Sequence, residues 1–328
     1  SSRSPPRTKP LRKKLQKHPK KPTSQSEQPN PSVPETPDTW TIEAVLRWTT
    51  DYFREKQLAT ARLDAELLLA HVMGCERLQL YLQADRPLTE SERANYRQIV
   101  RERGQGCPVA YLLGYRDFWS LRLRVAPGIL IPRPDTETLI EAALNYLPKH
   151  PLRLLELGTG TGAIPLSLCA ERTQLDWLCL EQSTTALQVA QQNCKEHLLL
   201  LKPRQNRLQL LQSNGFATIS TVHQFDALLS NPPYIRTTEI TRLSPEVSQF
   251  EPHLALDGGE DGLFWYREFL QQGPRLLRPG GLLIVEIGYD QQPTLTRLIK
   301  ETEAWNLVEF CQDLQGHPRV LVAQLRVK

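Results

Sequence analysis

The period of apolar and polar positions changes along the chain, and each change marks a different kind of element. From Trp40 the apolar residues recur at helical spacing. Thr41 is placed to cap a helix with Glu43 and Ala44 in its first turn and Leu46, Trp48, Tyr52 and Phe53 further on. Residues 61–73 put Leu63, Leu67, Leu68 and Val72 on one stripe, and Gly74 stands where a helix C-terminus favours glycine. A third helix is expected from Thr89 to Arg103, opened by a Thr/Ser cap and closed before Gly104 and Gly106. Between 115 and 131 the period drops to two. Phe118, Leu121, Leu123 and Val125 alternate with polar residues, and Pro127-Gly128 gives a turn signal before Ile129–Ile131, which predicts a β-hairpin.

Beyond the hairpin, short apolar runs alternate with helical patterns. Strands are expected at 153–157, 176–180, 208–212, 225–230 and 281–287, with a terminal pair near 307–311 and 319–325. Helices are expected from Ala163 to Glu171 and from a Ser183 cap through Lys195. Such alternation builds βαβ units, hence a parallel sheet covered on both faces. The last two strands are joined through Gly316 and Pro318 by a connection too short for a parallel crossover, so that pair should be antiparallel. The fold class is α/β, with a small N-terminal helical bundle joined by a β-hairpin.

Composition changes this picture at one end only. Residues 1–39 hold nine of the 26 prolines, nine Lys/Arg against three acids, and no glycine or aromatic residue. A segment that cannot bury apolar surface cannot offset its ordering entropy, so 1–39 reads as a disordered basic tail. The remaining residues carry 31 Lys/Arg against 33 Asp/Glu. The folded part is therefore no polycation, which weighs against dedicated nucleic-acid binding and leaves only the tail for such contact. No run approaches the ~18 apolar residues that a spanning helix needs, so no membrane partner is expected. Six cysteines show no C-x-x-C pair, and the seven histidines lack ligand spacing, so reduced thiols, a cytoplasmic setting and no metal are expected. The domain limits that follow are 40–112 for a helical substrate-docking unit, 113–135 for the hairpin linker and 136–328 for the α/β unit.

The first chemical signal is Glu156-Leu157-Gly158-Thr159-Gly160-Thr161-Gly162, between a strand and a helix. Glycines there let backbone approach a ligand at a helix N-terminus. The spacing also fits a relaxed dinucleotide pattern. Glu156, however, sets a carboxylate at the strand end, where it suits a cationic amino group and repels a pyrophosphate. Glu181 ends the next strand, placed to accept from ribose hydroxyls. A ligand with an amino-acid moiety and a ribose but no phosphate is S-adenosylmethionine, leaving as S-adenosylhomocysteine.

The second signal is Asn231-Pro232-Pro233-Tyr234 directly after a strand. A planar amino group has a delocalised, poorly nucleophilic lone pair. The Asn231 side-chain carbonyl and the Pro232 backbone carbonyl can each accept one of its N–H groups, orienting the nitrogen and stabilising developing positive charge. Pro233 stiffens the turn, and Tyr234 offers a ring face to a flat substrate. The sulfonium is already an activated methyl donor, so neither a metal nor a strong general base is required.

The order of glycine loop, acidic strand end and N-P-P-Y resembles the class I (Rossmann-like) methyltransferases acting on planar amino groups. Pro108-Val109-Ala110-Tyr111-Leu112-Leu113-Gly114, Phe118-Trp119, the run from Ile131 through Pro132, Arg133, Pro134, Asp135 and Thr136 to Glu137, Phe250-Glu251-Pro252 and Gly258-Gly259 narrow the resemblance to the HemK/PrmC family. That resemblance implies methylation of the side-chain amide of the glutamine in the Gly-Gly-Gln motif of peptide chain release factors, by a monomer that clasps a protein loop. It assigns Glu156 and Gly158 to Gly162, with Thr159, Gly160 and Thr161, to the cofactor, Glu181 to its ribose, and Asn231, Pro232, Pro233 and Tyr234 to the glutamine amide. Asn231, Pro232 and Tyr234 are the expected catalytic residues, and Asn231 borders the cofactor as well. Asn214, Gly215 and Phe216 fall at the adenine, where relatives often carry an acid and then an aromatic residue.

Alternatives stay open. A ribosomal-protein glutamine or a nucleic-acid exocyclic amine would suit the same N-P-P-Y chemistry, and a non-enzymatic binder is a third reading. Arg97, Arg101 and Arg103 read as a solvated helix face, or else as a release-factor docking surface. Arg133 and Asp135 suit an ion pair at a helix start or a ligand contact, and Glu251 and Glu286 suit buried, hydrogen-bonded carboxylates.

Overall fold

A computed structural model describes residues 40–220 and 224–327, so the expected tail 1–39 lies outside the described residues. Five helices come first: α1 Ile42–Glu55, α2 Ala61–Met73, α3 Arg77–Leu82, α4 Glu90–Gly104 and α5 Val109–Leu113. Thr41 caps α1, accepting the Ala44 N–H at 3.2 Å. Thr89 and Glu92 form a reciprocal capping box on α4. Gly74 ends α2 in the left-handed region at φ +61°, which a side chain would disfavour.

The buried side of α2 differs from the leucine stripe. Ala61, Ala65, Leu68 and Leu69 face the core of the bundle, whereas Leu63 is exposed. Small alanines let the neighbouring helices come close, and buried Asp64 is tolerated because Arg103 reaches it from α4. The Arg103 guanidinium donates to Asp64 at 2.7 Å, to the Cys107 carbonyl at 3.1 Å and to Glu246 at 2.5 Å. Arg103 is thus buried and fully engaged, not part of a solvated face. Arg97 and Arg101 remain exposed.

The hairpin pairs β1 (Tyr115–Phe118) with β2 (Leu121–Arg124), turning at Trp119-Ser120 rather than at Pro127-Gly128. Trp119 takes φ +54° with no glycine to advertise it. The turn is held from outside: Glu137 accepts the Trp119 backbone N–H at 2.9 Å and Glu171 its ring N–H at 2.7 Å. Phe118, Leu121 and Leu123 enter the core beneath the large sheet.

After a 3₁₀ turn at Pro134–Thr136 the chain runs α6 (Glu137–Tyr146), β3 (Leu152–Leu157), α7 (Ala163–Glu171), β4 (Leu175–Glu181), α8 (Thr184–Glu196), a short α9 (Leu198–Leu201), β5 (Arg207–Gln212) and β6 (Phe225–Ser230). Then follow the one-turn α10 (Pro245–Ser248), α11 (Phe264–Leu276), β7 (Leu277–Glu286), α12 (Gln292–Glu301), β8 (Trp305–Gln312) and β9 (Pro318–Leu325). The seven strands lie in the order β5-β4-β3-β6-β7-β9-β8. Neighbours from β5 to β7 are parallel, and β9 is antiparallel to both β7 and β8. The terminal pair is antiparallel as its short connection requires. The sheet is buried on both faces: one core gathers residues of α6, α7 and the hairpin, the other residues of α11 and α12. The crossovers after β3 and β6 leave on opposite faces, which opens a crevice at the C-terminal ends of these central strands.

Candidate active site

The ends of β3, β4, β5 and β6 supply one wall each of a cleft that opens to solvent. From the glycine loop come Gly158 and Gly160, from β4 Glu181, from the β5 end Ser213 and Gly215, and from the β6 end Asn231, Pro232 and Pro233. Gly158, Gly160 and Gly162 all have positive φ (72°, 55° and 82°), a backbone path that L side chains disfavour. Glu181 shapes the loop from outside, accepting the Gly160 N–H at 2.9 Å and the Ser183 N–H at 2.8 Å, one on each oxygen. A carboxylate oxygen accepts more than one hydrogen bond, so both can still receive a hydroxyl from the cleft.

The other expected loop residues support rather than line the cleft. Glu156 is fully buried beneath the loop. One of its oxygens accepts from the Thr159 hydroxyl; the other has no hydrogen-bond partner of ordinary geometry and lies beside the Cys179 thiol. Burial pushes its carboxyl up to about 8, against the milder opposite pull of the Thr159 hydroxyl and the nearby Cys179 thiol. Thr161 offers its carbonyl to Asn193, which also clamps the Arg124 backbone, so the loop, α8 and the hairpin are joined through one buried amide.

At the expected adenine end the structure rearranges the residues. Asn214 is exposed, and Phe216 is buried in the second core, edge-on to Phe269 with centroids 6.1 Å apart. Only Gly215 of the three lines the cleft. The aromatic wall is Trp265 of α11, whose ring would lie 3.5 Å from a Cβ built on Gly215. Trp265 fills the room that glycine leaves, a substitution in space that periodicity along the chain could not reveal. Ile129, Leu130, Leu254 and Ala255 add apolar wall from loops that carry no motif of their own.

At the end of β6, Ser230 donates to the Leu157 carbonyl at 2.7 Å, tying the acceptor strand to the glycine-loop strand. Asn231 donates through Nδ2 to the Thr136 hydroxyl at 3.0 Å. Among the described residues no donor occupies Asn231 Oδ1 or the Pro232 carbonyl. Tyr234 does not line the cleft. Its ring packs against the second core, and its hydroxyl donates to Glu286 at 3.1 Å. Burial raises the Tyr234 phenol well above its ordinary value, so it stays a donor. Gln291, which carried no signal in the sequence, donates to the Tyr234 carbonyl at 3.1 Å and to Gly262 at 3.0 Å.

The run from Arg133 to Glu137 is a crossroads in which each polar side chain reaches a different element. Arg133 pairs with buried Glu251 at 2.5 Å, Asp135 with Arg319 of β9 at 3.2 Å, and Thr136 donates to Glu286 of β7 at 2.6 Å. Glu137 holds the hairpin turn, as above. Asp135 and Arg133 therefore do not pair with one another. Burial raises the carboxyl of Glu251, which the Arg133 charge opposes. Among the described residues no group of His, Cys, Asp or Glu is arranged to hold a metal ion, all six cysteines are free, and no helix is long and apolar enough to cross a membrane.

A sheet whose last strand inserts antiparallel next to a parallel set, with a glycine loop and an acidic strand end bordering one cleft, defines a class I methyltransferase. Residues 44–114 match the PrmC N-terminal domain family and residues 135–246 the methyltransferase small domain family. The release factor glutamine methyltransferase of Rhodopirellula baltica is 37% identical over 87% of this chain and 96% of its own length. That of Geobacter sulfurreducens is 39% identical over 88% and 98%, and that of Salmonella typhimurium 39% over 79% and 90%. The chain belongs to the release factor glutamine methyltransferase family.

Proposed function

We propose that this chain transfers a methyl group from S-adenosylmethionine to the side-chain amide nitrogen of the glutamine in the Gly-Gly-Gln motif of a peptide chain release factor. The observation that carries the reading is the pair of uncommitted acceptors on the cleft wall, Asn231 Oδ1 and the Pro232 carbonyl. A primary amide has two N–H groups, and two fixed acceptors match them. The cleft also suits the donor: Glu181 has acceptor capacity for vicinal hydroxyls, the glycine loop permits close backbone approach, and Trp265 with Ile129 and Leu130 supplies flat apolar wall for a base.

When bound, the sulfonium supplies an activated methyl group and departs as a thioether. The chain's own residues do the rest. Asn231 and Pro232 hold the amide so that its nitrogen lone pair faces the methyl carbon, and their partial negative charge stabilises the nitrogen as it becomes cationic. As the N–C bond forms, the C–S bond breaks with its electron pair going to sulfur, and the extra N–H proton passes to water. Pro233 lacks an N–H and offers no competing donor. Glu156, Thr159, Thr161 and Gly162 act from below, fixing the loop, and Tyr234 fixes the turn.

Incubating the chain with methyl-labelled S-adenosylmethionine and a matched release factor should add one methyl group, mapped by peptide mass spectrometry to the Gly-Gly-Gln glutamine. Asn231→Ala should reduce turnover ~10²–10³-fold with cofactor affinity nearly kept. Label on a ribosomal protein or a nucleic acid instead would overturn the substrate assignment while keeping amide or amine methylation.

A further inference from the structure

The proposed role of Asn231 requires that its amide present oxygen, not nitrogen, to the substrate, and the side chain could occupy the same space either way round. What decides the matter lies behind it. Thr136 Oγ1 has one proton, and it goes to Glu286 Oε2 at 2.6 Å. The hydroxyl facing Asn231 is then an acceptor, so the Asn231 atom 3.0 Å away must be the donor Nδ2. Glu286 Oε1 meanwhile accepts from Tyr234 at 3.1 Å. Glu286 and Thr136 are both buried, the former completely. One carboxylate thus sets the polarity of two hydroxyls at both ends of Asn231–Tyr234.

We infer that Thr136 and Glu286 are positioning residues that fix the Asn231 amide with its oxygen toward the substrate and anchor the Tyr234 end of the turn. This rests on the function proposed above and adds its orienting device. Neither residue lines the cleft. They come from the turn before α6 and from the end of β7, and no other acidic side chain hydrogen-bonds to either hydroxyl among the described residues.

The charge state of Glu286 gives the device a signature. A protonated carboxyl can itself donate to Thr136, which frees the Thr136 proton to point at Asn231 and favours the reversed amide. Burial raises the Glu286 carboxyl to about 7, opposed by the Thr136 and Tyr234 bonds. The groups facing it are Tyr234 from the turn, Asp135 from the turn before α6, Arg319 from β9 and Tyr266 from α11, whose hydroxyl donates to the Glu286 carbonyl at 2.9 Å. Arg319 favours the charged form and Asp135 the neutral one. Turnover should therefore rise with pH through the neutral range.

The test compares Thr136→Val, Thr136→Ser and Glu286→Gln on two readouts. In the free protein, hydrogen exchange of the Asn231 side-chain amide is followed by 15N NMR. In the loaded enzyme, kcat is measured against pH with the release factor, alongside cofactor affinity. Wild type and Thr136→Ser should show one protected Asn231 amide proton; Thr136→Val should lose it and fall about 10-fold or more in kcat with cofactor affinity within about twofold. Glu286→Gln should flatten the neutral limb of the pH profile. Unchanged amide protection and kcat in Thr136→Val, or an equal loss in Thr136→Ser, would overturn the inference. Should Thr136→Val not fold, Glu286→Gln decides alone: a pH limb and a protected amide identical to wild type would overturn it. Should wild type methylate no release factor, the function proposed above fails, and the amide exchange still judges the orientation.

Discussion

Gly258 offers a direct way to move the acceptor turn without removing any polar group. A Cβ at this position would sit 2.8 Å from the Pro233 carbonyl oxygen, 2.8 Å from Tyr234 Cα and 2.9 Å from the Tyr234 carbonyl carbon. All three are backbone atoms, so no side-chain end can swing aside. Gly258 does not need a positive φ, so alanine is conformationally acceptable and the clash is the whole perturbation. Ordinary contact begins near 3.4 Å, so the two segments must part by about 0.6 Å. Overpacking of this kind costs ~1–3 kcal/mol of stability. Turnover suffers as well, because displacing a reacting group by ~1 Å lowers rates by ~10²-fold. Gly258→Ala should therefore lose about tenfold in single-turnover methyl transfer, with S-adenosylmethionine affinity by calorimetry close to wild type, since the glycine loop and Glu181 lie on other strands. A wild-type transfer rate would refute the reasoning, as would a loss matched by an equal loss of cofactor binding.

Three further outcomes are expected. Trp265→Ala should weaken S-adenosylmethionine binding about 5- to 150-fold, from the ~1–3 kcal/mol of aromatic–base stacking, and unchanged affinity would remove the ring from the adenine wall. Arg103→Met strands the buried Asp64 carboxylate and should destabilise by ~3–5 kcal/mol in denaturant unfolding, while adding Asp64→Leu should recover most of that; a single variant as stable as wild type would contradict the pairing. Glu156 keeps a proton in the folded chain up to about pH 8, whereas the unfolded carboxyl sheds it near 4.5. Stability from the neutral acid is full below the lower value and is lost as pH rises through the upper one. Glu156→Gln should accordingly raise the melting temperature more at pH 9 than at pH 5, and equal shifts would show that its ionisation does not matter.

Much of this molecule is legible in its sequence because the signals are local. Caps at Thr41 and Thr89, the αL glycine at 74, the strand-ending glycine loop and the short Gly316–Pro318 connection each act within a few residues. The misreadings share one cause, a partner distant in sequence. Trp119 turns the hairpin because Glu137 and Glu171 hold it. Arg103 is buried because Asp64 and Glu246 meet it. Phe216 is the aromatic residue the sequence offers beside Gly215, but it is buried in the second core, and the ring that borders the cleft there is Trp265 of α11. In the sequence Thr136 is one letter of a motif and Glu286 a buried acid; that they share one proton chain with Asn231 and Tyr234 becomes visible only when β7 lies beside β6.

The antiparallel insertion of β9 also bears on how the chain reaches this state. β9 is the last strand made, yet it occupies an interior place, with β7 on one side and β8 on the other. Until it arrives β8 has no partner in the sheet, and the β7 edge is open. Glu286, on which the acceptor turn depends, lies on that edge, paired with Val320 in the finished ladder. During synthesis the strands beside the glycine loop are made early, whereas β7, which carries Glu286, gains its second neighbour only with β9. An exposed strand edge in a nascent chain invites wrong pairing, and long-range pairing is slow. The glycine-loop side of the cleft thus has all its strands before β9 is made, and the side proposed to take the amide rests on a strand that β9 completes.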